Sequence, residues 1–67
     1  MTNPGERLRY LRQQRGLTIL DLEIATGVSS ATIGNAELGK RKPTVRTLRR
    51  LAPALGVRPE ELWRLLP

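Results

Sequence analysis

The stretch LTILDLEIATGVSSATIGNAELGKRKP, residues 17–43, decides how this chain is read. Thr18 starts a helix, and Asp21 three positions later makes a Thr-x-x-Asp pattern related to the capping box. That helix runs to about Thr26 and stops at Gly27. Ser29 opens the next, over residues 30–38, which Gly39 ends. A polar loop, Lys40-Arg41-Lys42-Pro43, follows. Two short helices are thus joined by a tight turn, with a basic segment directly after the second.

Working outward, residues 4–14 form a first helix stopped by Gly16. Thr44 caps a fourth, in which Val45, Leu48, Leu51, Ala52 and Leu55 recur at the helical period. Pro53 lies inside it and is expected to remove a backbone bond and to bend or end the helix locally. Gly56 closes it. Pro59 at a first helical position opens a fifth helix, over residues 60–66, with Glu60 and Glu61 near its positive end. No segment alternates with period two, and there is no Asn-Gly or Asp-Gly hairpin signal. The fold class is therefore all-α: one compact domain, residues 1–67, of five short helices.

A chain of 67 residues buries only about 60% of its unfolded surface, so its core is small. It has no Cys and no His, which excludes disulfides and ordinary zinc sites. Twelve Lys and Arg against six Asp and Glu give a net charge of +6. That balance favours polyanionic partners, nucleic acid before an anionic membrane. MTNPGERLRY has no apolar core of a signal peptide, and no run approaches a membrane span. Aromatic residues are only Tyr10 and Trp63, too few for the stacking platforms of single-strand binders. With no His or Cys nucleophile, no acid pair in an evident pocket and no Gly-rich phosphate loop, the chain does not read as an enzyme, and no cofactor or metal is implied.

The two-helix stretch fits the geometry of a groove reader. Gly27 tolerates the positive φ of the turn. Val28 tucks in behind it, and Ile33 anchors the second helix inward. Outward lie Ser30, Ala31, Gly34 and Asn35, with Thr32 at the margin. Asn35 suits an adenine edge, Ser30 and Thr32 suit several bases, and Ala31 suits a thymine methyl.

The segments GERLRYLRQQRGLT, GVSSATIGNAELGKRKPT and TLRRLAPALGVRPEEL together resemble the Cro/repressor type of helix-turn-helix domain, over residues 5–63. The resemblance places the helix-turn-helix at residues 18–38. It implies a transcriptional regulator of double-stranded DNA, cytoplasmic and associated with the nucleoid, bound as a homodimer. It also implies an ion pair between Arg12 on the first helix and Glu37 at the end of the recognition helix, with a structural role for both. Phosphate contacts fall by position on Thr18, Lys40, Arg41, Lys42 and Thr44.

Several residues depart from that pattern. Ile19 stands where a Gln amide would reach a phosphate. Glu23 stands where Ala or Gly allows close helix crossing; an unpaired buried carboxylate would cost several kcal/mol. Glu23 therefore snorkels outward, finds a basic partner, or belongs to a rotated helix. Ala36 is small for an inward position, and Gly34 weakens the recognition helix by about 1 kcal/mol relative to Ala. Ile19, Leu20, Leu22 and Ile24 spread apolar groups around the second helix, as in a helix that is buried or that meets a partner. A protein-interaction module with this fold and little DNA binding is the alternative function. Leu62, Trp63, Leu65 and Leu66 offer a dimer interface, although Trp63 equally suits a cap on the core.

Overall fold

The computed structural model describes residues 4–64, apart from the side chains of Pro4, Trp63 and Arg64. The readings that rest on the side chains of Trp63, Leu65 and Leu66 lie outside the described residues. Five helices follow in order: α1 Pro4–Gln14, α2 Ile19–Thr26, α3 Ser30–Glu37, α4 Val45–Leu55 and α5 Pro59–Arg64. No strand occurs among the described residues.

The helix starts follow from hydroxyl caps. Thr18, Ser29 and Thr44 each sit in extended backbone and accept an N–H three residues on, from Asp21, Thr32 and Thr47. At Thr18 the box is reciprocal, because Asp21 Oδ2 also accepts the Thr18 N–H at 2.9 Å. Gly27, at φ 76°, ends α2 and turns the chain toward α3. Gly39, at φ 74°, lets the chain leave α3 while the Gly39 N–H reaches the Ala36 carbonyl and the Lys40 N–H reaches that of Asn35. Pro53 does not end α4: the helix continues to Leu55 and closes at Gly56. Pro53 lies in the last turn and is exposed, so only one backbone bond is forfeited there.

The core is a single apolar cluster. Leu8 of α1, Leu22 of α2, Val28 of the turn, Ile33 and Ala36 of α3, Leu48, Leu51, Ala52 and Leu55 of α4, and Leu62 of α5 are all buried. Leu22, Ile33 and Leu51 are its largest fully enclosed side chains. Ile33 and Val28 thus take the inward positions that their spacing predicts. Burying each Leu or Ile contributes about 1.5–3 kcal/mol, and the cluster draws on every helix.

Two contacts between helices were not foreseeable from spacing. Gly5 is buried where α1 meets the end of α3, and a Cβ on it would collide with the carbonyl oxygens of Ala36 and Glu37. The Arg15 guanidinium lies over Gly56 at the end of α4. A cation there faces the partial negative charge of that helix end.

Candidate nucleic-acid interface

The orientation of α3 is set from below. Ile33 is fully buried, and Ala36 and Glu37 are buried beside it. At 3.6 residues per turn, this turns Ala31 and Thr32 to solvent and leaves Ser30, Gly34 and Asn35 half-buried at the edges of the outer face.

An open groove of about 400 Å³ lies between α3, the basic loop and the start of α4. Its wall unites Ala31, Thr32 and Asn35 with Arg41, Lys42 and Thr44. Residues assigned separately to bases and to phosphates therefore share one concave surface. Ser30, Thr18 and Lys40 do not line it. Thr47 does, and sequence reading passed over it. Thr44 Oγ1 accepts the Thr47 N–H at 3.2 Å and shares a hydrogen bond with Thr47 Oγ1 at 3.0 Å. The Thr-x-x-Thr spacing at the start of α4 signals that capping contact, not a place on the groove. The loop is tied to the reading helix through one backbone atom: the Asn35 carbonyl accepts N–H bonds from Lys40 at 2.9 Å and Arg41 at 3.3 Å.

Lys40, Arg41 and Lys42 are all exposed. The helix-start site at Thr18 is different in character. Thr18 Oγ1 accepts the Asp21 N–H at 3.0 Å, and the Thr18 N–H is taken by Asp21. The Thr18 N–H, and then its side chain, hold the Asp21 carboxyl below its ordinary range. A negative charge thus stands at the end of α2 that the resemblance assigns to phosphate. Ile19, beside it, packs half-buried against the core.

Arg12 and Glu37 form a buried, two-pronged ion pair, with Nε to Oε2 at 2.7 Å and Nη2 to Oε1 at 2.9 Å. Arg12 Nη1 also donates to the Leu17 carbonyl at 2.8 Å. The hydrogen bond and charge of Glu37 push the Arg12 guanidinium further toward its protonated form, against the effect of burial. The pair joins α1 to the last turn of α3, and neither residue lines the groove.

None of the three courses expected of Glu23 includes the contact that it makes. It is half-buried, no cation among the described residues pairs with it, and α2 keeps Leu22 fully buried. Its Oε1 accepts two hydrogen bonds from Ser30, one from the backbone N–H at 2.7 Å and one from the hydroxyl. These bonds keep the carboxyl below the usual carboxylate range. A residue of α2 therefore caps the start of α3. The anion is also well placed at the positive end of that helix.

Among the apolar residues of α2, Leu22 is enclosed and Ile19 is partly covered. Leu20 and Ile24, one turn apart, are 59% and 76% exposed. No helix among the described residues is long and apolar enough to cross a membrane.

Residues 8–62 match the family model described as Helix-turn-helix. The chain is 46% identical over 59 residues to the uncharacterized HTH-type transcriptional regulator RghRB of Bacillus subtilis, across 87% of this chain and 42% of that protein. It is 45% identical over 58 residues to the HTH-type transcriptional repressor RghR of the same organism, across 85% of this chain and 43% of that one. It therefore spans less than half the length of these two relatives. Among solved structures, the restriction-modification controller protein C.AhdI from Aeromonas hydrophila superposes with a TM-score of 0.81 at 36% identity, over 88% of this chain and 89% of that one. With its five helices, its capped two-helix reader and these relatives, the chain belongs to the helix-turn-helix family of the Cro/repressor type.

Proposed function

We propose that this chain is the DNA-binding domain of a transcriptional regulator, acting as a repressor on double-stranded DNA. The observation that carries the reading is the groove in which Ala31, Thr32 and Asn35 face Arg41, Lys42 and Thr44. A helix laid in the major groove needs base-reading side chains and phosphate-holding groups at this spacing, on either side of one duplex edge. Ser30, Ala31, Thr32 and Asn35 read bases. Lys40, Arg41, Lys42 and Thr44 hold phosphates, joined by Thr18 at the second helix. Arg12 and Glu37 fix the angle of α3.

One copy reaches few bases, so two copies on a palindromic site complete the recognition. The name of RghR supports the repressor reading. The activity is binding alone, without catalysis or cofactor, and its place is the cytoplasm, on the nucleoid.

Selection of duplexes from a random pool, with the wild type and Asn35→Ala, tests this reading. The wild type enriches a short half-site, and Asn35→Ala relaxes one base position in it. Affinity falls steeply with salt as phosphate contacts release counterions. A wild type that enriches nothing overturns the reading. The exposed pair Leu20 and Ile24 favours a second reading, in which α2 grips a protein. A flat salt response and a protein that binds wild type but not Ile24→Lys would support it.

A further inference from the structure

The contact of Glu23 with Ser30 gives this carboxylate a function, one that rests on the DNA binding proposed above. An ionised carboxylate has no hydrogen to give. The bond between Glu23 Oε1 and the Ser30 hydroxyl therefore consumes the Ser30 proton. The Ser30 N–H is committed to the same oxygen. What Ser30 retains for a neighbour is lone pairs only. Beside it stands Glu23, half-exposed and also able only to accept. The start of α3 thus presents acceptors and no side-chain donor at these two residues.

Thr32 differs. Its Oγ1 accepts from the Ser29 hydroxyl at 2.8 Å, so its own proton remains available. It can meet a donor or an acceptor on a base.

We propose that Glu23 sets the base preference at the start of the recognition helix, by making Ser30 an acceptor that selects a base carrying an exocyclic amino group. In the major groove, cytosine presents N4 and adenine presents N6 as donors, whereas guanine O6 and thymine O4 are acceptors. Cytosine ranks first, because only a carbon-bound hydrogen lies beside its amino group. Adenine ranks second, because its N7 would face a second acceptor. Guanine and thymine place an oxygen against two others and are disfavoured. Glu23 acts through Ser30 and is a positioning residue for recognition.

Selection from a random duplex pool with wild type, Ser30→Ala, Glu23→Ala and Glu23→Gln tests this, with circular dichroism melts of each variant. The wild type enriches cytosine, then adenine, at the position that Ser30→Ala relaxes. A guanine or thymine substituted there weakens wild-type binding about tenfold or more. Glu23→Ala frees the Ser30 proton, and discrimination at that position alone falls toward parity. Glu23→Gln keeps an acceptor oxygen for the Ser30 hydroxyl, so the preference for an amino-bearing base stays, while its amide N–H no longer opposes adenine N7 and adenine rises toward cytosine. A guanine or thymine consensus at the position relaxed by Ser30→Ala overturns the proposal, as does an unchanged preference in folded Glu23→Ala. Enrichment by wild type with no position sensitive to Ser30 overturns this inference and leaves the DNA-binding reading intact. No enrichment by wild type overturns both.

Discussion

Glu37 and Glu23 hold α3 at opposite ends, and their surroundings differ. Glu37 is 7% exposed and faces Arg12, itself 9% exposed, through two parallel hydrogen bonds. Glu23 is half-exposed and, among the described residues, meets the N–H and hydroxyl of Ser30. A buried charge that loses its partner remains uncompensated in a low-dielectric site. A half-exposed carboxylate that loses its partner is hydrated instead. One end of the helix is therefore held by an interaction that is costly to break. The other is held by one that is cheap to break but fixes the direction of a hydroxyl proton.

The largest effect separating the two ends is expected for Arg12→Met. It leaves Glu37 buried without its cation and should cost about 3–5 kcal/mol. At roughly 4–8 °C per kcal/mol for a domain of this size, Tm should fall by more than about 10 °C in a calorimetric scan. An unchanged Tm would sink the structural assignment of the pair. Next is Gly5→Ala, which drives a methyl into the carbonyls of Ala36 and Glu37 and should cost about 1–3 kcal/mol in urea titrations. A neutral result would mean that α1 can move off the end of α3.

Glu23→Ala should lower Tm less than either. Its effect is also expected to depend on pH in a defined direction. The folded carboxyl is held below its unfolded value, so its stabilisation is present at neutral pH, above the ordinary carboxylate range. It fades as pH falls through that range and is gone below the folded value. The Tm difference between wild type and Glu23→Ala should therefore be present at neutral pH and vanish in strong acid. A difference that grows on acidification would contradict the Ser30 contact. The smallest stability effect belongs to Arg41→Gln and Lys42→Gln. Each should leave Tm nearly unchanged while reducing the slope of log K against log salt by about 1.

Helix limits were legible because the groups that set them are local. Thr18, Ser29 and Thr44 start helices through contacts only three residues long, and Gly27, Gly39 and Gly56 stop them. The inward positions of Val28 and Ile33 followed from the turn and the helical period. Arg12 and Glu37, 25 residues apart, were paired only by resemblance, and here they meet. The partner of Glu23 is not legible in the sequence, because it is neither a cation nor solvent. The nearest partner was a backbone N–H and a hydroxyl seven residues on, brought close by the turn at Gly27. Gly5 and Arg15 were not singled out for their contacts, since both depend on how helix ends far apart in sequence come together. Thr47 had a readable capping signal but no sequence cue that it borders the groove.

The attachment of the basic loop to the Asn35 carbonyl bears on how such a reader changes over generations. A backbone oxygen is present whatever side chain occupies position 35. On the proposed reading, replacing Asn35, Ala31 or Thr32 would alter which bases are favoured without unfastening Lys40 and Arg41. The proposed phosphate-holding loop would then keep its backbone anchor while the base preference drifts, so a new operator could be approached through single substitutions that leave this anchor in place.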